Sequence, residues 1–146
     1  MRELQASIEI STSAERVWQI LTDFAAYPDW NPFIRRISGS PEPGARLEVR
    51  LEPPGARAMT FRPRVIAAQP NRELRWLGQL FVPGLFSGEH LFLIEPIDVT
   101  RVRFVQRERF GGVLVPFTRK TLAATRTGFE HMNLALKSRS ERGAVS

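Results

Sequence analysis

Two side chains are spaced to move a proton between them: His90 and Glu108, each in a segment that alternates apolar and polar residues. His90, Phe92 and Ile94 share one parity, and Val102, Phe104, Gln106, Glu108 and Phe110 share another. Alternation of period two places such residues on one side of a strand. If the two segments form a hairpin with Ile94 and Val102 facing the same side, His90 falls opposite Gln106 or Glu108, within reach across the ladder. A His90–Glu108 hydrogen bond is therefore expected. It would fix the imidazole in one tautomer, as acid–base catalysis requires, making His90 and Glu108 the catalytic candidates. The same contact equally serves to orient a ligand or to satisfy a buried carboxylate.

The surroundings of that pair are apolar. Met59, Phe61, Trp76, Phe92 and Phe104 fall on inward parities of successive strands, and Phe129 and Met132 on the apolar stripe of a later helix. These residues either pack into a dry core or line a pocket. A filled core has no use for His90, Gln106 and Glu108, so the pocket reading gains weight, with a ligand carrying one or two polar atoms. Asn133 and Thr125 on the helix can add polar contacts. Trp30 and Asn31, between two prolines, fall at the expected mouth, where Trp30 gates access or seals the core with its N–H bonded to a carbonyl.

Other chemistries are excluded or disfavoured. Cysteine is absent, which removes disulfides, thiolate metal sites and a cysteine nucleophile. His90 and His131 belong to separate elements without a shared carboxylate cluster, so neither a metal nor another cofactor is expected. Gly111-Gly112 ends a strand and is no phosphate loop, since no strand–glycine–helix order surrounds it. The net charge is +6, carried almost wholly by arginine. Arg101, Arg103, Arg107 and Arg109 recur at every second position, and Glu48 and Glu52 interleave near Arg46 and Arg50, the pattern of a wet sheet face. Nucleic acid is not expected as a partner.

The elements that must position these residues can be read along the chain. Leu4, Ala6, Ile8 and Ile10 alternate with polar neighbours as a first strand. Thr12 stands three before Glu15 at capping-box spacing, opening a short helix through Val17, Ile20, Leu21 and Phe24. Pro28 and Pro32 predict a turn or broken second helix. Strands follow over residues 47–52, 59–65 (interrupted by Pro63), 74–80 and the hairpin. The apolar loop Phe81–Phe86 reads as a lid or pocket rim. From Thr118 to about Lys137, Leu122, Thr125, Phe129, Met132 and Leu136 form one helical stripe, with Gly128 marking a bend or a close contact. Residues 138–146 read as a polar, frayed tail, leaving residues 1–137 as one domain.

Specific fragments carry a family resemblance: Ala14-Glu15-Arg16-Val17-Trp18 with Leu21-Thr22-Asp23-Phe24, then Tyr27-Pro28-Asp29-Trp30-Asn31-Pro32-Phe33, Gly88-Glu89-His90 with Phe92, Glu108-Arg109-Phe110 with Gly111, and Gly128-Phe129, Met132-Asn133 and Ala135-Leu136-Lys137. In this order they resemble the bacterial polyketide cyclase/dehydrase-like branch of the START/Bet v 1-like (SRPBCC) superfamily. The resemblance implies an α+β helix-grip fold: a curved antiparallel sheet of six or seven strands wrapped around a long C-terminal helix, with two short helices after the first strand. It also implies a cavity between sheet and helix. Members bind lipids, plant hormones, quinones, polyketides or protein partners, and only some are enzymes.

The first expectation is thus binding of a small hydrophobic molecule such as a lipid, quinone or aromatic polyketide. A cyclase or dehydratase using His90 and Glu108 is the second. A protein-interaction module docking through the arginine face or the Phe81–Phe86 loop is the third. The N-terminal residues lack the apolar stretch of a secretory signal, and no run reaches the length of a membrane span, so a cytoplasmic protein without integral membrane association is expected, with room for a homodimer.

Overall fold

The structure, a computed structural model, describes residues 2–80, 86–111 and 119–142. The elements are β1 (Arg2–Ile10), α1 (Ala14–Thr22), a 3₁₀ turn (Phe24–Ala26), α2 (Tyr27–Trp30), β2 (Ile34–Ser38), β3 (Glu48–Leu51), β4 (Met59–Phe61), β5 (Arg64–Gln69), β6 (Glu73–Leu80), β7 (Phe86–Asp98), β8 (Arg101–Gly111) and α3 (Arg119–Arg142). Five strands form one sheet in the order β1-β8-β7-β6-β5, and three form another in the order β2-β3-β4. Every pairing is antiparallel.

The two sheets meet at a seam where Arg46 bridges Arg64, and Leu47 N–H and Val65 N–H donate to the Pro63 and Ala45 carbonyls at 2.8 and 2.9 Å. The wrapped surface is therefore the expected helix-grip, built from more strands than the six or seven expected. Two causes account for the excess. Pro63 has no N–H for a ladder, so the expected strand 59–65 divides into β4 and β5. The segment after Pro32, too short to show a clear period, is β2, with a bulge between Ile34 and Arg36.

The start of α1 differs from expectation by one residue. Ser13, not Thr12, is the cap, its hydroxyl accepting from Arg16 N–H at 3.1 Å. The proline-broken segment is the short α2, whose Pro28 occupies the first turn, where no N–H is needed. Asn31 then turns the chain into β2: its buried Oδ1 accepts from Phe33 N–H at 3.0 Å and Ile34 N–H at 2.8 Å. Tyr27 is fully buried and donates to the Leu21 carbonyl at 2.5 Å. Burial, with Asp23 nearby, pushes its phenol above the ordinary tyrosine value.

The long helix α3 crosses the inner face of β1 and runs to Arg142, past the expected end near Lys137. The expected fray is absent up to that point because the polar residues are fastened. Glu141 accepts from Lys137 at 2.6 Å and from Ser11 N–H at 2.7 Å, while Ser140 is buried with its hydroxyl unpaired among the described residues. Residues 143–146 lie outside the described residues, as do Thr118 and Gly112. Gly128 faces Phe33 so closely that a Cβ there would clash with the ring. The close contact, not a bend, accounts for this glycine.

On the outward side of β6 and β8 every arginine is ion-paired with an acid. Arg109 sits between Glu3 and Glu89, and Arg103 between Glu9 and Glu95. Arg101 pairs with Glu9 at 2.9 Å and Asp98 at 3.0 Å. Arginine stems cover the outward Leu91, which is 7% exposed. No described helix is long and apolar enough to cross a membrane.

Candidate functional site

The hairpin of β7 and β8 sets the site, because its register brings His90 opposite Glu108 and Phe92 opposite Gln106. Three aromatic rings hold the imidazole in place: Phe92, Phe129 and Trp76, with centroids 4.3, 5.2 and 5.3 Å away. His90 is 5% exposed and Gln106 not at all.

The hydrogen bonds fix the proton on His90. The Gln106 amide nitrogen donates to Asn133 Oδ1 at 2.8 Å and to the backbone carbonyl of Phe129 at 3.3 Å. A backbone carbonyl only accepts, so the amide NH₂ must face it and Gln106 Oε1 must face His90. His90 Nε2, 3.1 Å from that oxygen, is consequently the protonated nitrogen. Its Nδ1 then lies 3.0 Å from Glu108 Oε2. The expected His90–Glu108 hydrogen bond is present as this close contact only. Its alignment is poor, and Oε2 has no hydrogen-bond partner among the described residues. The well-formed bond of His90 goes to Gln106.

Beside the pair lies a cavity of about 100 Å³. The inward side of the three-stranded sheet supplies Val49, Leu51, Met59 and Phe61, followed by Pro63. Trp76, Gly78, Gly88, His90, Glu108 and Phe110 form the opposite wall, and Leu122, Thr125 and Phe129 of α3 cover it. Gly78 stands directly opposite Gly88 across β6 and β7, so neither position puts a side chain into the gap.

Among the residues expected to line a pocket, Met59, Phe61, Trp76, His90, Glu108 and Phe129 do so. Phe92, Phe104 and Met132 are fully buried in the hydrophobic cluster instead. Gln106 and Asn133 stand behind His90 as its hydrogen-bonded support. Trp30 packs edge-on against Tyr27, away from the cavity, and its indole N–H has no partner among the described residues, contrary to the expected carbonyl bond. Asn31 serves the turn into β2. Val49, Leu51, Pro63, Gly88, Phe110 and Leu122 were not anticipated in the wall; the inward parity of Val49, Leu51 and Phe110 was the available signal. The Phe81–Phe86 loop lies, over residues 81–85, outside the described residues. Among the described residues no group of three or more histidine, aspartate or glutamate side chains could hold a metal ion.

This chain matches, over residues 1–141, the family described as polyketide cyclase / dehydrase and lipid transport, and it belongs to that family. No curated protein matches it in sequence. Several solved structures share the fold. A START superfamily protein from Mycobacterium smegmatis is 23% identical with a TM-score of 0.74, covering 96% of this chain and 97% of that one. The Zhui aromatase/cyclase from a Streptomyces species is 17% identical with a TM-score of 0.76, covering 97% and 94%. Norcoclaurine synthase from Thalictrum flavum, bound to dopamine and hydroxybenzaldehyde, is 11% identical with a TM-score of 0.65, covering 99% and 89%.

Proposed function

We propose that the chain binds a small, largely apolar molecule in this cavity, with one polar atom of the guest turned to Glu108 and His90. A single observation carries the reading: the wall is apolar apart from Thr125 and the His90–Glu108 pair, where a buried carboxylate oxygen has no hydrogen-bond partner among the described residues. An unpaired buried acceptor costs about 1–3 kcal/mol, which a guest hydroxyl would recover. The volume limits the guest to one ring, since benzene is taken up by an engineered apolar cavity of about 150 Å³ and this one is about 100 Å³. Dopamine and hydroxybenzaldehyde, the molecules held by norcoclaurine synthase, are single-ring phenols.

Trp76 in the wall provides the assay. Saturable quenching of its fluorescence by phenol is expected, weakened about tenfold by Glu108→Leu, while toluene binds both proteins alike. Absence of saturable binding to the wild type would overturn the reading.

The 3.0 Å approach of His90 Nδ1 to Glu108 Oε2 supports a second reading, acid–base catalysis on the guest, in keeping with a family that includes cyclases. Glu108→Gln would then abolish turnover of a poly-β-ketone substrate. Equal rates for the two proteins would remove Glu108 from the chemistry.

A further inference from the structure

The outward faces of the two sheets treat arginine in opposite ways. On β6 and β8 of the five-stranded sheet every arginine is ion-paired with an acid. On the three-stranded sheet Arg36 stands directly opposite Arg50, and at the seam Arg46 stands directly opposite Arg64. Like charges facing each other across strands destabilise a sheet. Glu48 offsets one neighbour, pairing with Arg62 at 3.2 Å, and Glu52 pairs with Arg50 at 3.1 Å. Arg36 and Arg64 are exposed and make no ion pair among the described residues. Like-charged pairs thus stand twice along β2, β3 and the seam with β5, whereas no arginine of β8 faces another arginine, and such a local exception is where function is expected.

We propose that this outward patch, from the three-stranded sheet across the seam to Arg64 of β5, docks onto an anionic phospholipid surface. Arginine pairs present several planar N–H donors that match a phosphate bidentately, which lysine cannot do. With about 3.4 Å of rise per strand residue, Arg46 and Arg50 place the two pairs about 14 Å apart, so they engage separate headgroups. Three features of the patch favour a lipid surface over other polyanions. Protein docking concentrates its energy in buried apolar anchors, and the sole large exposed apolar residue beside these arginines, among the described residues, is Ile66. Single-stranded nucleic acid is held by stacking on aromatic rings, and no aromatic residue is exposed on this face. Duplex recognition inserts a helix or ribbon into a groove, whereas the arginines here stand on the side of a sheet. The proposal concerns the opposite side of the strands from the cavity and does not depend on what the cavity binds.

Co-sedimentation with phosphatidylcholine vesicles, with and without phosphatidylserine, tests it. The protein is expected to bind only the phosphatidylserine vesicles, and less as salt rises. Arg36→Gln with Arg64→Gln should weaken binding tenfold or more, at about fivefold per arginine. Arg103→Gln with Arg109→Gln removes the same charge from β8, away from the patch, and should change binding less than about twofold. Thermal melts give an independent readout: the first pair relieves repulsion and raises the melting temperature, and the second loses ion pairs and lowers it. Equal weakening by the two pairs, binding indifferent to phosphatidylserine, or tighter retention on duplex DNA or polyglutamate than on the vesicles at matched salt would each overturn the proposal.

Discussion

Two halves of one inner face are built differently. In one half Leu74, Phe92 and Gln106 make a row across β6, β7 and β8, and Phe92 and Ile94 with Phe104, Met132 and Leu136 form a filled, fully buried cluster. In the other half the corresponding row is Gly78, Gly88 and Phe110, and the space above it is open. Between them lies the row of Trp76, His90 and Glu108. Side chains thus fill the rows of Phe92 and His90 and are missing from two of three positions in the row of Gly78, and the polar pair stands where packing stops. The difference teaches that the hollow is made by what two strands leave out, not by any special lining residue.

Truncation across the boundary should break the comparison most visibly. Phe92→Ala in the packed half is expected to lower stability by about 3–5 kcal/mol, and Phe61→Ala beside the hollow by less than about half of that, both by urea unfolding. Equal losses would mean that the two halves are packed alike. The next effect falls on the boundary itself. Gln106→Leu strips His90 Nε2 and Asn133 Oδ1 of their partner at a cost of about 1–3 kcal/mol, and ¹⁵N NMR should then report His90 no longer confined to the Nε2–H form. Unchanged nitrogen shifts would show that the amide does not set the tautomer.

Filling the hollow should cost little. A Cβ on Gly78 would lie 3.8 Å from Pro63 Cβ, an ordinary contact. Gly78→Ala is therefore expected to change stability by no more than about 0.5 kcal/mol while weakening uptake of a single-ring guest, measured by Trp76 fluorescence. The smallest effect concerns the clamp at the end of α3 farthest from the cavity. Hydrogen bonds from the Lys137 ammonium and then from Ser11 N–H hold the Glu141 carboxyl below its ordinary value. The fold favours the ionised form, so this contribution is present above the ordinary carboxylate range and is lost as pH falls through the lowered value. At partial exposure it amounts to roughly a few tenths of a kcal/mol, and Glu141→Gln should remove that much at neutral pH and nothing in strong acid.

Much of this arrangement is legible in the sequence, and the limits are physical. Period two states which side of a sheet a residue faces, and that sufficed for the opposition of His90 and Glu108. It is silent on depth along the sheet, so Phe92 and Phe61 look alike although one is core and the other cavity wall. Trp30 was misplaced for a related reason: the prolines announce an irregular segment without saying whether it lies at a mouth or against Tyr27. Ser138 to Arg142 read as a tail because they are polar, yet Glu141 is retained by Ser11, a partner remote in sequence. The like-charged arginine pairs depend on a bulge in β2 and on the seam between sheets, neither of which alternation encodes.

The Phe129 carbonyl that orients the Gln106 amide belongs to the main chain. Unlike a hydroxyl it cannot swivel, and unlike a carboxylate it cannot titrate. Exchange of Asn133 for another acceptor would therefore leave His90 with the same nitrogen protonated, whereas a slide of α3 along its axis would free it. The backbone of the covering helix, not its side chains, decides which way the imidazole offers its lone pair.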